Sequence, residues 1–91
     1  MKRLEATVYG RVQGVYFRET TRQVAQQLHL TGWVGNQPDG SVRVVAEGSE
    51  DHLNQLVTFL HQGPSAARVG KVDTTWEEPT GEFTHFSVRW L

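Results

Sequence analysis

The chain of 91 residues contains no cysteine, so it has no disulfide bond, no zinc site built from thiolates and no cysteine nucleophile. It has no apolar run near the roughly 18 residues that a membrane-spanning helix needs, and no apolar segment follows the basic residues at its start. We therefore expect no membrane partner. We predict a cytoplasmic location for a protein whose stability comes from packing alone.

An excess of positive charge is also missing, because nine Lys and Arg residues face ten Asp and Glu residues for a formal net charge of -1. Binding to a phosphate backbone usually needs a strongly basic surface, so nucleic acid is not an expected partner. The charge is nevertheless uneven, since Lys2, Arg3, Arg11 and Arg18 are accompanied only by Glu5 in the first eighteen residues. We expect an anion to bind in this N-terminal part.

Motifs of several common enzyme classes are absent, namely GxxxxGK[ST], GxGxxG, GxSxG and HExxH. The four histidines, His29, His52, His61 and His85, never lie two to four residues apart, so they form no local pair of metal ligands. We therefore expect neither a metal ion nor an organic cofactor.

The apolar pattern predicts the fold. Period-two alternation, as in Leu4, Ala6 and Val8, predicts strands over residues 3–11, 33–37, 41–47, 69–76 and 83–90. Apolar stripes at helical spacing predict helices from residue 17 or 19 to 29 and from 49 to 62, the second capped near Ser49. This βαββαβ order with an added C-terminal strand predicts a two-layer ferredoxin-like α+β sandwich. Both helices would pack on one face of a mainly antiparallel sheet, in a single domain of residues 1–91.

The junction between the first strand and the first helix reads GRVQGVYFR and spans residues 10–18. A loop that contains Gly14 and enters a helix near Arg18 turns backbone N–H groups toward one point, where the helix dipole adds positive charge. The guanidinium of Arg18 can hold two phosphoryl oxygens at once. Spacing alone leaves open a tight turn with an exposed arginine.

A second segment, WVGNQPDG, places Asn36 at the end of a strand just before a turn. The side-chain amide of Asn36 can hold a water molecule through one acceptor and one donor. The alternative is that Asn36 only makes hydrogen bonds within the turn.

The combination of GRVQGVYFR, GWVGNQPDGSVRVVAEG and the final FSVRW closely resembles the acylphosphatase family over residues 4–90. The resemblance implies hydrolysis of an acyl phosphate to a carboxylate and inorganic phosphate by direct attack of water on phosphorus. It implies that Arg18 binds the phosphoryl group and that Asn36 orients the water. It also implies a backbone cradle made by Gln13, Gly14, Val15, Tyr16 and Phe17. We expect a monomer whose partners are the acyl phosphate and inorganic phosphate.

Two positions depart from the family pattern. Many relatives read GWVRN, whereas this chain has Gly35 before Asn36 and so lacks a positive charge there. We expect Gly35 to lie in regular strand, although a positive φ or a bulge is the alternative. Tyr16 replaces the glycine, cysteine or phenylalanine that is common in relatives, and its ring is expected to narrow or cover the cradle.

Other interpretations of the sequence remain open. The loop is also compatible with a non-enzymatic module that binds phosphate or a carboxylate-bearing metabolite. RNA binding on the open sheet face through Tyr9 is a further possibility, although the chain has only two lysines and no run of RNA-stacking aromatics.

We expect core or sheet-face packing, rather than substrate contact, for Trp33, Trp76, Trp90, Phe59, Phe83 and Phe86.

Overall fold

A computed structural model describes residues 1–90, so that only Leu91, the last residue of the predicted domain, lies outside the described residues. The elements are β1 (Lys2–Arg11), α1 (Phe17–Gln27), β2 (Thr31–Asn36), β3 (Val42–Gly48), α2 (Glu50–Gln62), β4 (Arg68–Glu77) and β5 (Phe86–Trp90). This order confirms the predicted succession of strands and helices. The last strand begins at Phe86 rather than at the predicted Phe83.

The five strands form one sheet in the order β4-β1-β3-β2-β5. Antiparallel pairing joins β3 to both β1 and β2, and joins β4 to β1, whereas β5 runs parallel to β2. The predicted mainly antiparallel sheet is confirmed. The place of β5 beside β2 was not predictable, because the alternation within a strand does not select its neighbour.

Both helices pack on one face of the sheet, with α1 against β2 and β5 and α2 against β4, β1 and β3. The β1 residues on that face, Leu4, Ala6 and Val8, are fully buried, as their alternation predicts. The apolar stripe of α2 covers them with fully buried leucines at Leu53, Leu56 and Leu60. Burying one such side chain contributes about 1.5–3 kcal/mol. The two-layer ferredoxin-like α+β sandwich is therefore confirmed.

The aromatic residues do not all pack as predicted. Phe86 is buried, and Phe59 packs against Phe17 with ring centroids 6.1 Å apart. Trp76 and Trp90, however, are 41% and 84% exposed. Both belong to edge strands, β4 and β5, where no further strand covers one flank of the side chain.

The opposite face of the sheet is crossed by the segment between β4 and β5, because these two strands lie at opposite edges. Glu47 of β3 anchors this segment: its carboxylate accepts hydrogen bonds from the backbone N–H groups of Thr80 and Gly81 and from the guanidinium of Arg3. Burial alone would raise the pKa of Glu47, but these hydrogen bonds outweigh it and lower the pKa to about 2. The strand β5 starts later than predicted because its partner β2 begins only at Thr31, and the pairing between the two strands begins at Gly32 and Phe86.

Glu47 is expected to make folding stability depend on pH. Its pKa in the folded protein, about 2, lies below the ordinary value of 4.5. Its contribution is therefore complete above about pH 4.5 and is lost as the pH falls toward 2, by on the order of 2–3 kcal/mol. We expect Glu47→Gln to be less stable than the wild type at pH 7 and to have a flatter stability profile between these pH values.

Urea unfolding followed from pH 7 to pH 2 measures this effect. Glu78→Gln, which changes an exposed carboxylate, serves as the matched control and should follow the wild-type profile. Parallel profiles for Glu47→Gln and the wild type would show that the Glu47 carboxylate does not cause the pH dependence of the free energy of unfolding.

Candidate active site

Sheet topology brings together the ends of three strands. Because β1 and β2 are both antiparallel to β3, they run in the same direction, and β5 runs parallel to β2. Val8 and Asn36 both pair with Val42, and Asn36 also pairs with Trp90. The loop after β1, the last residue of β2 and the last residue of β5 therefore lie at the same end of the sheet.

The loop between β1 and α1 presents backbone donors. Gly14 and Tyr16 have φ angles of 73° and 60°, in the left-handed region, so the chain turns sharply before α1 begins at Phe17. No side chain caps this helix. The N–H groups of Gly14, Val15, Tyr16 and Phe17 find no acceptor within residues 1–90. Such a loop at the positive end of a helix can bind an anion through its backbone.

Arg18 lies in the first turn of α1, beside this loop. Its guanidinium carbon is 4.6 Å from the centroid of the Trp90 ring, which is within the range of a cation–π contact. The Nη1 atom of Arg18 is buried and has no hydrogen-bond partner within residues 1–90. A buried guanidinium donor without a partner is costly, so the position favours an anionic ligand. The alternative of an exposed arginine on a simple turn does not describe this side chain.

The neighbouring carboxylate does not neutralise Arg18. Glu19 instead accepts hydrogen bonds from Arg22, one turn further along α1, with an Nε–Oε1 distance of 2.9 Å, and from Gln23. The bonds from Arg22 lower the pKa of Glu19. Because Arg22 balances the negative charge of Glu19, the charge of Arg18 stays available to a ligand.

Asn36 is the last residue of β2, and its Oδ1 atom is buried without a hydrogen-bond partner within residues 1–90. The turn that follows is held by other groups. The carboxylate of Asp39 accepts hydrogen bonds from the backbone N–H and the hydroxyl of Ser41, which lower the pKa of Asp39. Oδ1 of Asn36 therefore remains an available acceptor beside the end of β5.

Gln13 connects the two halves of this region. Its side-chain amide donates to the carbonyl oxygens of Gln37 and Ser41, at 2.8 and 2.9 Å. The sequence predicts only a backbone role for Gln13 and does not reveal this side-chain contact. No sequence signal could have revealed it, because the partners lie 24 and 28 residues further along the chain. The contact holds the loop after β1 against the turn after Asn36.

A cavity of about 470 Å³ opens at the loop and is lined by Val12, Gly14, Tyr16, Phe17, Arg18, Glu19, Val88 and Trp90. The structure thus brings Gly14, Tyr16, Phe17 and Arg18 of the predicted site around one space. Gln13, Val15 and Asn36 are not among the lining residues. Asn36 is instead adjacent through its pairing with Trp90.

Gly35 lies in regular strand, as expected. It pairs with Arg43 of β3 and Arg89 of β5 without a register shift, and it is not among the glycines with positive φ. The alternative of a bulge or a positive φ is therefore wrong. Because side chains alternate along a strand, a side chain at position 35 would point to the face opposite Asn36 and would lie between two arginines.

Within residues 1–90, no three histidine, aspartate or glutamate side chains lie close enough to hold a metal ion. The same residues contain no helix of sufficient length and apolar character to cross a membrane.

The fold and the loop together define a small α+β domain with unpaired backbone donors and a buried, unpaired arginine at the N-terminus of its first helix. The family model for acylphosphatase matches residues 4–88. An acylphosphatase of Salinibacter ruber is 50% identical to this chain, over 97% of the chain and 93% of the relative. The chain therefore belongs to the acylphosphatase family.

Solved structures agree with this assignment. An acylphosphatase from Bacillus subtilis superposes with a TM-score of 0.94 at 34% identity, covering 98% of this chain and 99% of that one. An acylphosphatase from Coxiella burnetii gives a TM-score of 0.90 at 41% identity, covering 97% and 92%. These relatives confirm the predicted hydrolytic activity, and they do not favour the alternatives of a non-enzymatic anion module or an RNA-binding domain.

Gln13 is expected to support activity by holding the loop and the turn together. Gln13→Met keeps the length of the side chain but removes both hydrogen bonds. We expect kcat/KM for an acyl phosphate to fall about tenfold, and the free energy of unfolding to fall by about 1–2 kcal/mol.

Kinetics and urea unfolding measure both effects. The matched control is Gln55→Met, on the exposed face of α2, which should retain the wild-type kcat/KM. An undiminished kcat/KM in Gln13→Met would show that the link does not position the site.

Proposed function

We propose that Arg18 and the backbone of Gln13, Gly14, Val15, Tyr16 and Phe17 bind the phosphoryl group of an acyl phosphate, while Asn36 orients the attacking water. The observation that carries the proposal is the buried Nη1 of Arg18, which has no partner within residues 1–90 and lies beside a loop of unpaired backbone donors. The second buried polar atom without a partner in this part of the chain, Oδ1 of Asn36, lies at the same end of the sheet.

Electrostatic stabilisation is the main task of the loop and of Arg18. In phosphoryl transfer, negative charge spreads over the equatorial oxygens, and fixed donors around them lower the barrier. The guanidinium of Arg18 and the N–H groups at the start of α1 provide such donors. Their positions are set before the substrate binds, because Trp90 holds one face of the guanidinium and Gln13 holds the loop.

Asn36 acts on the nucleophile. Its Oδ1 accepts a hydrogen bond from the water and turns a lone pair of the water oxygen toward phosphorus. A bond forms between that oxygen and phosphorus while the bond from phosphorus to the acyl oxygen breaks. A phosphoryl oxygen of the substrate takes the proton that the water loses, so the products are a carboxylate and inorganic phosphate.

The leaving group needs little help. A departing carboxylate has a conjugate acid with a pKa near ~4.3, by analogy with Glu, so it leaves at neutral pH without a general acid. This explains how a site made of an arginine, an amide and backbone N–H groups suffices. Positioning and charge stabilisation are then the whole contribution of the protein.

The protein is proposed to act as a monomeric single domain of residues 1–91 in the cytoplasm. The edge strand β4 supports the monomer, because its pairing with β1 is irregular near Gly70 and it carries Lys71, Asp73 and Glu77. Irregularity and charge at an edge both oppose pairing with another sheet. The absence of cysteine fits a reducing compartment.

Arg18 is expected to require its planar guanidinium and not only its charge. Arg18→Lys should lose kcat/KM for an acyl phosphate by about 100-fold or more, nearly as much as Arg18→Ala, because a lysine cannot hold two phosphoryl oxygens in a fixed geometry. Arg22→Lys, one turn along α1, is the matched control and should stay near the wild type. Near wild-type kcat/KM in a folded Arg18→Lys would refute the bidentate role.

Asn36 is expected to affect the rate more than binding. Asn36→Ala should lower kcat by about 100-fold, whereas the inhibition constant of inorganic phosphate should change less than about threefold, since Arg18 and the loop still hold the anion. Asn54→Ala on α2 controls for loss of an exposed amide. If phosphate affinity collapsed together with kcat, Asn36 would belong to the phosphate-binding shell instead.

A further inference from the structure

Two exposed aromatic side chains border the cavity that contains Arg18. Tyr16 is 83% exposed and Trp90 is 84% exposed, and both line the same space as Arg18. Trp90 is exposed because it lies on the edge strand β5, and Tyr16 because it lies in the loop before α1, so both rings are accessible to a ligand at the cavity. Large apolar side chains left in solvent on two sides of a cavity are typical of a ligand-binding surface.

The backbone of Tyr16 adopts a conformation that costs free energy for a tyrosine. Its φ of 60° lies in the left-handed region, which glycine or asparagine adopts with less strain. Its carbonyl oxygen accepts hydrogen bonds from the backbone N–H and the side chain of Thr20, so its backbone is fixed at the start of α1. The ring itself points into solvent at the mouth of the cavity.

Trp90 borders the cavity from the sheet side. The guanidinium of Arg18 stacks on its ring, and most of the indole surface remains exposed. Val88, two residues earlier on the same face of β5, adds an apolar wall next to it. The polar end of the cavity is thus at Arg18, and an apolar surface extends from it.

We propose that Tyr16 and Trp90 form the binding surface for the acyl group, and that this enzyme prefers acyl phosphates with an aromatic or bulky apolar acyl group over those with a short aliphatic one. The proposal rests on the function proposed above, because a phosphoryl group at Arg18 directs the rest of the substrate out of the loop. The volume of about 470 Å³ is sufficient for a benzoyl group beyond the phosphoryl group. Stacking between the rings fits an aromatic acyl group best.

Selectivity is measured as the ratio of kcat/KM for benzoyl phosphate to kcat/KM for acetyl phosphate. Tyr16→Asn tolerates the left-handed backbone but removes the ring, and Tyr16→Phe keeps the ring. We expect the ratio to fall about five- to tenfold in Tyr16→Asn and to remain near the wild-type value in Tyr16→Phe. Comparing ratios between variants cancels the different intrinsic reactivities of the two substrates.

Trp90→Leu tests the other side of the cavity, and its ratio should also fall. Trp76→Ala removes an exposed tryptophan that lines a separate cavity with Lys2, Glu50 and Asn54, and should leave the ratio unchanged. An equal loss for both substrates in Tyr16→Asn and Trp90→Leu, with weaker phosphate inhibition, would overturn the proposal. It would show that the rings only support the loop and Arg18.

A second measurement does not depend on turnover. Phenylphosphonate and methylphosphonate carry the same anionic group, so the ratio of their inhibition constants, or of their dissociation constants by calorimetry, reports the aromatic surface alone. We expect tighter binding of phenylphosphonate in the wild type and loss of that preference in Tyr16→Asn. Equal binding of the two phosphonates in the wild type would refute the aromatic surface. If the wild type bound phenylphosphonate more tightly but hydrolysed no acyl phosphate, only the proposed function would be refuted.

Discussion

The antiparallel pairing of β3 with both β1 and β2 is the constraint on which the site depends. It makes β1 and β2 run in the same direction, so that the loop after β1 and Asn36 at the end of β2 lie at one end of the sheet. The parallel addition of β5 then brings Trp90 beside Asn36. A different strand order with the same helices would scatter these groups, although each local segment would be unchanged.

Charges are distributed differently on the two faces of this sheet. On the open face, Arg3 and Arg43 are paired with acidic residues, and Glu47 binds the segment that crosses from β4 to β5. These pairs stabilise the fold and occupy the guanidinium groups of Arg3 and Arg43. Next to the loop, Arg18 has no carboxylate partner within residues 1–90, because Glu19 is bound by Arg22. The same residue type thus stabilises one face and remains available on the other.

The loop before α1 lowers the stability of the fold through the same features on which the proposed site depends. A helix start without a side-chain cap and with a tyrosine in the left-handed region is less stable than a capped start, by about 1 kcal/mol or more for each feature. The unpaired N–H groups and the exposed ring are what a phosphoryl group and an acyl group can use. Packing of Phe17 and Thr21 against the core secures the helix despite this cost.

Local patterns determined most of the fold from the sequence. The alternation of Leu4, Ala6 and Val8 and the stripe of α2 are confirmed, and so is the cap at Ser49, whose hydroxyl accepts a hydrogen bond from the N–H of His52. These features depend on residues within a few positions of each other, so periodicity reveals them. The resemblance of the two motifs to a known family identified the activity, while the roles assigned to Arg18 and Asn36 stay predictions.

Only the tertiary structure decided how distant segments meet. The link from Gln13 to the turn after β2, the anchoring of residues 80 and 81 by Glu47, and the contact between Arg18 and Trp90 join residues 24 to 72 positions apart. The exposure of Trp90 follows from its place on an edge strand, and the direction of position 35 follows from its pairing. Such contacts depend on strand order and register, which the periodicity of a single segment does not encode.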